Sequence, residues 1–214
     1  RFLFIPETIG SIVYLSKNLK KLKKNVIGGY NLSCIGDDRM HSCILTKNEN
    51  SCSDKALLNA YKRLKIKPKI FSFLKRGSDE RQYNSPMIDL NIATICRSKF
   101  GEYPEYHTSM DNFNIVSEKG LFGGFKVVRS AIKYLINGTY PISKIYCEPF
   151  LSKINFYQTI SGTKKNKYSQ KILDFLQYSD GKNEIKEIQK KIKLNKKVFF
   201  KVYKILLNKN LITS

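Results

Sequence analysis

The feature that most constrains this fold is the alternation of short apolar runs with segments that carry apolar residues at helical spacing. The apolar runs are typical of strands and occupy residues 1–6, 26–35, 70–74 and 90–96. The helical patterns occupy residues 11–25, 53–64 and 117–136. Strands that alternate with helices favour a sheet that is covered on both faces. The sequence therefore predicts an α/β fold with a mixed, mostly parallel sheet and helices on both faces. The polar residues 37–53 are expected to form a loop.

The pattern changes after residue 138. Residues 139–167 are typical of a connector with one or two edge strands, because prolines, a glycine and lysines interrupt them. Three apolar stripes at helical spacing then begin near Ile172, Ile185 and Val198. Three short helices of this spacing suit a winged-helix or helix-turn-helix module. The predicted organisation is an α/β domain in residues 1–140, a connector in residues 141–166 and a small all-α, winged-helix-like domain in residues 167–214.

The chain is strongly basic, which raises the question of a polyanionic partner. Its 214 residues carry 39 Lys and Arg against 17 Asp and Glu, a formal net charge of +22. Such a surface commonly indicates nucleic acid or anionic lipid. Here lysine dominates, and the charge is spread over both predicted domains, as expected from a general drift in composition toward Lys and Asn. We favour that drift as the explanation.

The third C-terminal helix keeps a nucleic-acid hypothesis open through Lys196, Lys197, Lys201 and Lys204. Lysine contacts to phosphates would be sensitive to salt. The same segment, KKVFFKVYKILL, is rich in bulky apolar residues and poor in the Arg, Asn and Gln that read base edges. We therefore expect packing within the protein or self-association more than nucleic-acid binding.

Cysteine usage and hydropathy indicate the compartment. The five cysteines are an odd number without a CxxC pair, so neither a disulfide framework nor a cysteine zinc knuckle is indicated. The sequence also lacks an apolar run of about 18 residues that could span a bilayer. We predict a cytoplasmic protein without a membrane partner. Because a strand-like run opens the chain without an initiator Met, we expect it to be part of a longer protein.

Polar residues that could carry chemistry follow the predicted strands. Glu7 follows the first strand, Asp37 and Asp38 follow the second, Asp79 the third and His107 the fourth. Ligands of open α/β sheets gather where the carboxyl ends of strands meet loops. Imidazole is a common zinc ligand, and nearby carboxylates could orient its second nitrogen. The pattern indicates a site at one edge of the sheet, with His107 as a candidate metal ligand.

Three motifs in order sharpen this prediction, namely FIPETIGS at residues 4–11, SDERQYNSPMIDLNIA at 78–93 and GEYPEYHTSMDN at 101–112. Together they resemble the zinc-dependent aminopeptidase family that also contains glutaminyl cyclases, over roughly residues 1–137. The whole chain is similar to an uncharacterised bacterial family that joins an aminopeptidase-like domain to a C-terminal winged helix. Members of that family often belong to surface-polysaccharide gene clusters.

The resemblance implies a role for several residues. Glu7 falls on the general base, His107 on a zinc ligand and Asp79 on an acidic residue that hydrogen-bonds around the active site. We further expect Asp37, Arg81 and Tyr106 to line a substrate pocket; this is our own inference rather than the family's pattern. Plain structural interpretations stay open: a surface carboxylate for Glu7 and a helix start with local ion pairs for Asp79.

Two departures from the family's pattern limit the metal site that the resemblance implies. The second Glu expected directly after the base is Thr8, and the expected Asp of the next strand is replaced by Ser33 and Cys34. One zinc ion is therefore expected instead of two, with its remaining ligands upstream of Arg1. Because one His cannot hold an ion that takes four ligands, we expect this chain alone to bind zinc weakly or not at all.

Two functions follow from the sequence. The first is a zinc-dependent hydrolase of a peptide or a small substrate with a peptide-like amide bond, or an acyl transferase of the cyclase kind. The resemblance also implies a link to surface-polysaccharide biosynthesis. The alternative is a peptidase scaffold that has lost catalysis and binds DNA or a protein through its winged helix.

Overall fold

The computed structural model describes residues 1–154 and 168–213. The chain divides into two compact units, Arg1–Asn137 and Gly138–Ser214. The predicted connector, residues 141–166, begins inside the second unit, and its residues 155–166 lie outside the described part.

The first unit contains four helices, four strands and one short 3-10 helix among its described residues. In chain order they are α1 Ile9–Asn25, β1 Gly29–Leu32, β2 Ser42–Ile44, α2 Cys52–Arg63, β3 Lys69–Phe71, the 3-10 helix Phe73–Lys75, α3 Glu80–Tyr83, β4 Ile92–Cys96 and α4 Glu118–Asn137.

The four strands form one mixed sheet in the order β1-β4-β2-β3. β1 pairs with β4 in parallel, β2 pairs with β3 in parallel, and β2 pairs with β4 antiparallel. The predicted mixed, mostly parallel α/β fold is therefore confirmed.

Helices cover both faces of the sheet because side chains of β4 alternate between them. Ala93 and Ile95 pack with α2 and α4 in one core, which also contains Leu57 and Val127. On the opposite side, α1 and α3 pack around Leu15 in a second cluster. Burial of an aliphatic side chain such as Ile95 stabilises the fold by about 2 kcal/mol, so the strand is fixed from both faces.

Two local predictions were wrong. Residues 1–6 form no strand, and Phe2 and Phe4 are 81% and 95% exposed. Their alternating pattern is β-prone, but a strand needs a neighbouring strand to pair with. None of the strands in the described part of the chain pairs with these residues. The predicted loop at residues 37–53 instead contains β2, whose three residues are all buried. A strand of three residues is too short for alternation to reveal it.

The second unit contains three helices and a small sheet in its described part. Its elements are β5 Ile142–Ser143, the 3-10 helix Leu151–Ile154, α5 Ser169–Gln177, α6 Ile185–Lys191, α7 Lys196–Asn208 and β6 Ile212–Thr213. β5 and β6 pair antiparallel, which adds a two-stranded sheet to the three predicted helices.

The core of the second unit is apolar and forms from all three helices. Ile172, Phe175, Ile188, Val202 and Leu206 are fully or almost fully buried in it. In the described part of the chain, no helix is long and apolar enough to cross a bilayer.

Candidate functional site

The segment before α1 carries the exposed carboxylate of Glu7 and is tied to the segment before α3. The Ser78 hydroxyl donates to Glu7 Oε1 at 2.6 Å. The Thr8 backbone N–H donates to Asp79 Oδ1 at 2.7 Å, and Arg81 Nη2 donates to Thr8 Oγ1 at 2.8 Å. These three bonds bring together Glu7, Asp79 and Arg81, which the sequence predicted separately.

The backbone at Thr8 is strained, with φ 61° and ψ −67°. A positive φ is unusual for a β-branched residue and persists only when surrounding contacts hold it. The bonds from Thr8 to Asp79 and Arg81 supply that restraint. Asp79 does stand at the start of α3, in the N-cap position, but its side chain makes no capping hydrogen bond; its carboxylate accepts the Thr8 N–H instead.

A buried carboxylate fixes the segment that carries Ser78 and Asp79. Glu80 is fully buried, and its Oε1 accepts hydrogen bonds from the backbone N–H groups of Gly77 at 2.8 Å and Ser78 at 3.1 Å. Its Oε2 accepts from Asn31 Nδ2 at 3.0 Å and Thr94 Oγ1 at 2.9 Å, which lie on the parallel strands β1 and β4. Glu80 therefore attaches the Ser78–Asp79 segment to the sheet.

The loop after β4 presents His107 at the surface. Its imidazole stacks on the Tyr106 ring with centroids 4.0 Å apart and an angle of 18° between the planes. Tyr106 is half-buried and also contacts the rings of Phe100 and Tyr103. Burial raises the pKa of the Tyr106 hydroxyl, and the charges of Cys34 and Glu7 raise it further. The Tyr106 hydroxyl therefore lies within electrostatic range of the Glu7 carboxylate.

An ion pair braces the same loop from the segment after β1. Arg39 Nη1 donates to Glu105 Oε2 at 3.1 Å, and the Arg39 guanidinium lies 5.1 Å from the centroid of the Tyr103 ring. A backbone hydrogen bond and the Arg39 guanidinium lower the pKa of the Glu105 carboxyl. This ion pair restrains the residues directly before Tyr106 and His107.

Asp37 was predicted to line the substrate pocket, but its carboxylate is buried and occupied. It accepts from the Ser98 N–H at 2.7 Å, the Ser98 hydroxyl at 2.8 Å and the Arg39 N–H at 3.0 Å. These contacts attach the residues after β1 to the segment after β4, and the role of Asp37 in a substrate pocket stays a prediction. Its neighbour Asp38 is exposed and pairs with Lys119 at 3.0 Å.

Several residues of this region escaped the sequence prediction. Ser78 gave no signal because a serine beside a turn is common, and no local pattern separated the buried Glu80 from the partly buried Asp79 or the exposed Arg81. Cys34 has φ 47° and lies close enough to Tyr103 and Tyr106 to affect both hydroxyls. The sequence did give one signal for Cys34, because it stands where the family's pattern has an Asp.

The described residues do not fit a complete zinc site. Within residues 1–154 and 168–213, no group of three or more His, Cys, Asp or Glu side chains could hold a metal ion. A zinc ion takes four ligands, of which a catalytic site supplies three from the protein. His107 could contribute one of them.

Comparison with protein families assigns both units. Residues 1–138 match a family described as a domain of unknown function, DUF4910, and residues 139–214 match a winged helix-turn-helix family. The chain belongs to the DUF4910 family. The second match confirms the predicted winged helix.

Two relatives of this DUF4910 member carry names of the peptidase kind. It is 36% identical over 190 residues to a protein from Clostridium acetobutylicum named for polysaccharide biosynthesis with an aminopeptidase-like domain; the match covers 88% of this chain and 43% of that protein. A crystal structure from the same organism, described as a peptidase, aligns with a TM-score of 0.63 and 30% identity over 99% of this chain and 47% of the other.

A more distant structure extends the likeness in fold. The aminopeptidase from Aneurinibacillus sp. strain AM-1 aligns with a TM-score of 0.50 and 20% identity over 58% of this chain and 29% of its own. The predicted aminopeptidase-like fold is therefore confirmed. The chain spans less than half the length of the relatives that it matches.

Proposed function

We propose that the protein containing this chain is a peptidase-like hydrolase of a peptide or peptide-like amide bond, in which Glu7 is the general base. The single observation that carries the proposal is the clamp that holds Glu7 and Thr8 against Ser78, Asp79 and Arg81. The names of two relatives, one with an aminopeptidase-like domain and one described as a peptidase, support the reaction class.

The geometry of Glu7 suits a group that accepts a proton. Glu7 is exposed, and the Ser78 hydroxyl holds one oxygen of its carboxylate at 2.6 Å. General bases act only when they are held within hydrogen-bond reach of the proton that they abstract. Glu7 would take the proton of the attacking water, and Arg81 and Tyr106 lie near enough to its segment to contact a substrate.

Zinc dependence is part of this proposal through the resemblance of the His107 motif. His107 would supply one ligand, and the others would come from outside the described residues. A bound zinc would polarise the scissile carbonyl and acidify the attacking water. The proposed link to polysaccharide biosynthesis rests on the name of the Clostridium relative, and the narrower link to surface polysaccharide rests on the family resemblance alone.

The test uses the longer protein that contains this chain. We expect hydrolysis of aminoacyl anilides, and we expect Glu7→Gln to lower kcat by about a hundredfold or more without changing the circular dichroism spectrum. Glu118→Gln is the matched control, because it removes an exposed carboxylate at the start of α4. Zinc content measured by mass spectrometry should fall on His107→Ala.

A second candidate function is a peptidase scaffold without catalysis. The observation that favours it is Thr8 at the position where the family carries a metal-binding Glu, together with the incomplete donor set of the described residues. A longer protein that is purified without zinc and hydrolyses none of the anilides would support this candidate and contradict the first.

A further inference from the structure

The position of the Glu7 carboxylate depends on a neighbouring segment. Glu7 is exposed and lies in the turn before α1, outside the helices and strands of the first unit. In the described part of the chain, Ser78 alone donates a hydrogen bond to this carboxylate, at 2.6 Å, a length typical of a hydroxyl bound to an ionised carboxylate. An exposed glutamate side chain otherwise keeps its rotamer freedom. The position of the proposed base therefore depends on how firmly Ser78 is held.

Ser78 is held from the protein interior by Glu80. Ser78 is 5% exposed, and its backbone N–H donates to Oε1 of the fully buried Glu80 side chain. The other carboxylate oxygen of Glu80 accepts from Asn31 on β1 and Thr94 on β4. A buried carboxylate with several donors allows little movement of the groups that it binds, because hydrogen bonds are strong at low dielectric. The segment that carries Ser78 is therefore fixed to the sheet at its start.

The same segment is fixed to the sheet at its end by Asn84, which is buried. The Asn84 Nδ2 donates to the Ile92 carbonyl at 2.7 Å, and the Asn84 Oδ1 accepts from the Ile92 N–H at 3.2 Å. The same Nδ2 donates to the Glu80 carbonyl at 2.7 Å. Ile92 is the first residue of β4. Both ends of α3 are therefore bonded to one strand, and Ser78 lies just before this anchored helix.

Close packing at Gly77 restrains Ser78 from a further side. A Cβ atom at Gly77 would lie 2.5 Å from Cε2 of Phe100, so only glycine fits there without displacing that ring. Phe100 is buried, and its ring contacts that of Tyr106 in the loop that carries His107. The turn before α3 therefore lies between the Glu7 segment and the core next to the His107 loop.

We propose that Ser78 is a positioning residue for the base Glu7, and that the buried Glu80 acts on Glu7 through Ser78. The inference rests on the proposed function, in which Glu7 abstracts a proton. Neither Ser78 nor Glu80 would touch the substrate. They would hold the Glu7 carboxylate within reach of the attacking water, and a small misplacement of a catalytic group slows the chemical step strongly.

Steady-state kinetics of the longer protein on aminoacyl anilides tests the role of Ser78. Ser78→Ala should lower kcat about tenfold and change KM less than about twofold, because the base acts in the transition state and does not bind the substrate. Ser78→Thr keeps the hydroxyl and should stay within about threefold of the parent kcat. Ser85→Ala is the matched control, because it removes a hydroxyl that donates to the Gln82 carbonyl at 2.8 Å in the same segment.

A double-mutant cycle tests whether Glu80 acts through Ser78. Glu80→Gln keeps the shape of the side chain but replaces one accepting oxygen with a donor. It should lower kcat about fivefold in the parent and less than about twofold in Ser78→Ala, because residues that act through one contact are not additive. A merely structural role of Glu80 would give the same factor in both backgrounds. Thr94→Val, which removes one donor to Glu80, replaces Glu80→Gln in the cycle if that variant does not fold.

The mobility of the Glu7 side chain gives a readout that needs no activity. NMR relaxation of the Glu7 methylene groups in this chain should show a lower order parameter in Ser78→Ala and in Glu80→Gln, and the parent value in Ser85→Ala. If the longer protein hydrolyses none of the anilides, the proposed function fails, whereas this measurement still decides whether Ser78 and Glu80 hold Glu7.

Three results would overturn the inference. Glu7 could be as ordered in Ser78→Ala as in the parent, or Ser78→Thr could be as slow as Ser78→Ala. The Glu80 variant could also lower kcat by one factor in both backgrounds. If Glu7→Gln abolishes hydrolysis while Ser78→Ala leaves kcat unchanged, the proposed function stands and only the role of Ser78 is lost.

Discussion

The two units of this molecule differ in what they bury. Among the described residues, the first unit buries the charged side chains Asp37, Asp54, Glu80, Arg97 and Lys99. In the described part of the second unit, the buried polar side chains are Ser169 and Ser179, and the core cluster is entirely apolar.

This difference in buried side chains corresponds to what each unit holds in place, which is loops in the first unit and helices in the second. A hydrogen bond has a direction, so a buried carboxylate with several donors fixes the segments that supply them. Glu80 fixes the Ser78–Asp79 segment to two strands, and Asp37 fixes the residues after β1 to the end of β4. Apolar contacts lack direction and hold the three helices of the second unit without specifying a loop.

The largest expected effect is on the apolar core of the second unit. Phe175 is fully buried, and its ring stacks on that of Phe199 with centroids 5.0 Å apart. Phe175→Ala should cost about 4 kcal/mol, because it leaves a cavity. Urea unfolding followed by hydrogen exchange in residues 169–213 measures this cost. Tyr146→Ala, at a 98% exposed position of the same unit, should stay within about 0.5 kcal/mol of the parent.

A smaller but more localised effect is expected from Glu80→Ala in the first unit. Removal of the carboxylate leaves the donors of Asn31, Gly77, Ser78 and Thr94 without their acceptor. The cost should be about 3 kcal/mol, with amide protection lost first in residues 77–84. Glu118→Ala at an exposed position is the control. A cost below about 1 kcal/mol would show that water replaces the carboxylate and that the network does not specify the loop.

The same contrast explains how much the sequence could predict. Long periodic segments identified α1, α2, α4 and the three C-terminal helices, because an apolar stripe repeats over several turns. The order of motifs predicted the aminopeptidase-like fold. Neither signal exists for β2, whose three buried residues carry no measurable period.

The candidate site was harder to predict because its contacts are tertiary. Asp79 and Glu80 are adjacent acids with no difference in local pattern. One contacts Thr8 at the surface and the other enters the core, and the positions of Asn31 and Thr94 on the sheet decide which. Likewise, nothing in the run before Glu7 shows that residues 1–6 stay unpaired in this chain, since a strand is defined by its neighbour.

The smallest expected effect concerns pH and the polar network of the first unit. Burial, together with the nearby Arg97 guanidinium, lowers the pKa of His41 to about 4. Arginine only donates hydrogen bonds, so Nε2 of His41 accepts from Arg97 Nη1 and the neutral ring carries its proton on Nδ1. That Nδ1 is buried without a partner among the described residues. A protonated His41 ring would lose the hydrogen bond from Arg97 and would be repelled by the positive charge of its guanidinium.

The sign of the pH effect follows from these contacts. Between the folded pKa of about 4 and the ordinary value of 6.5, the unfolded chain binds more protons than the folded chain. The stabilisation is therefore complete above 6.5 and is lost as the pH falls toward 4. Because the ring is only half-buried, the loss at pH about 5 should be about 1 kcal/mol, measured by urea unfolding. His41→Gln should remove this slope, whereas His107→Gln should retain it. An equal slope in parent and His41→Gln would assign the pH dependence to other groups of the first unit.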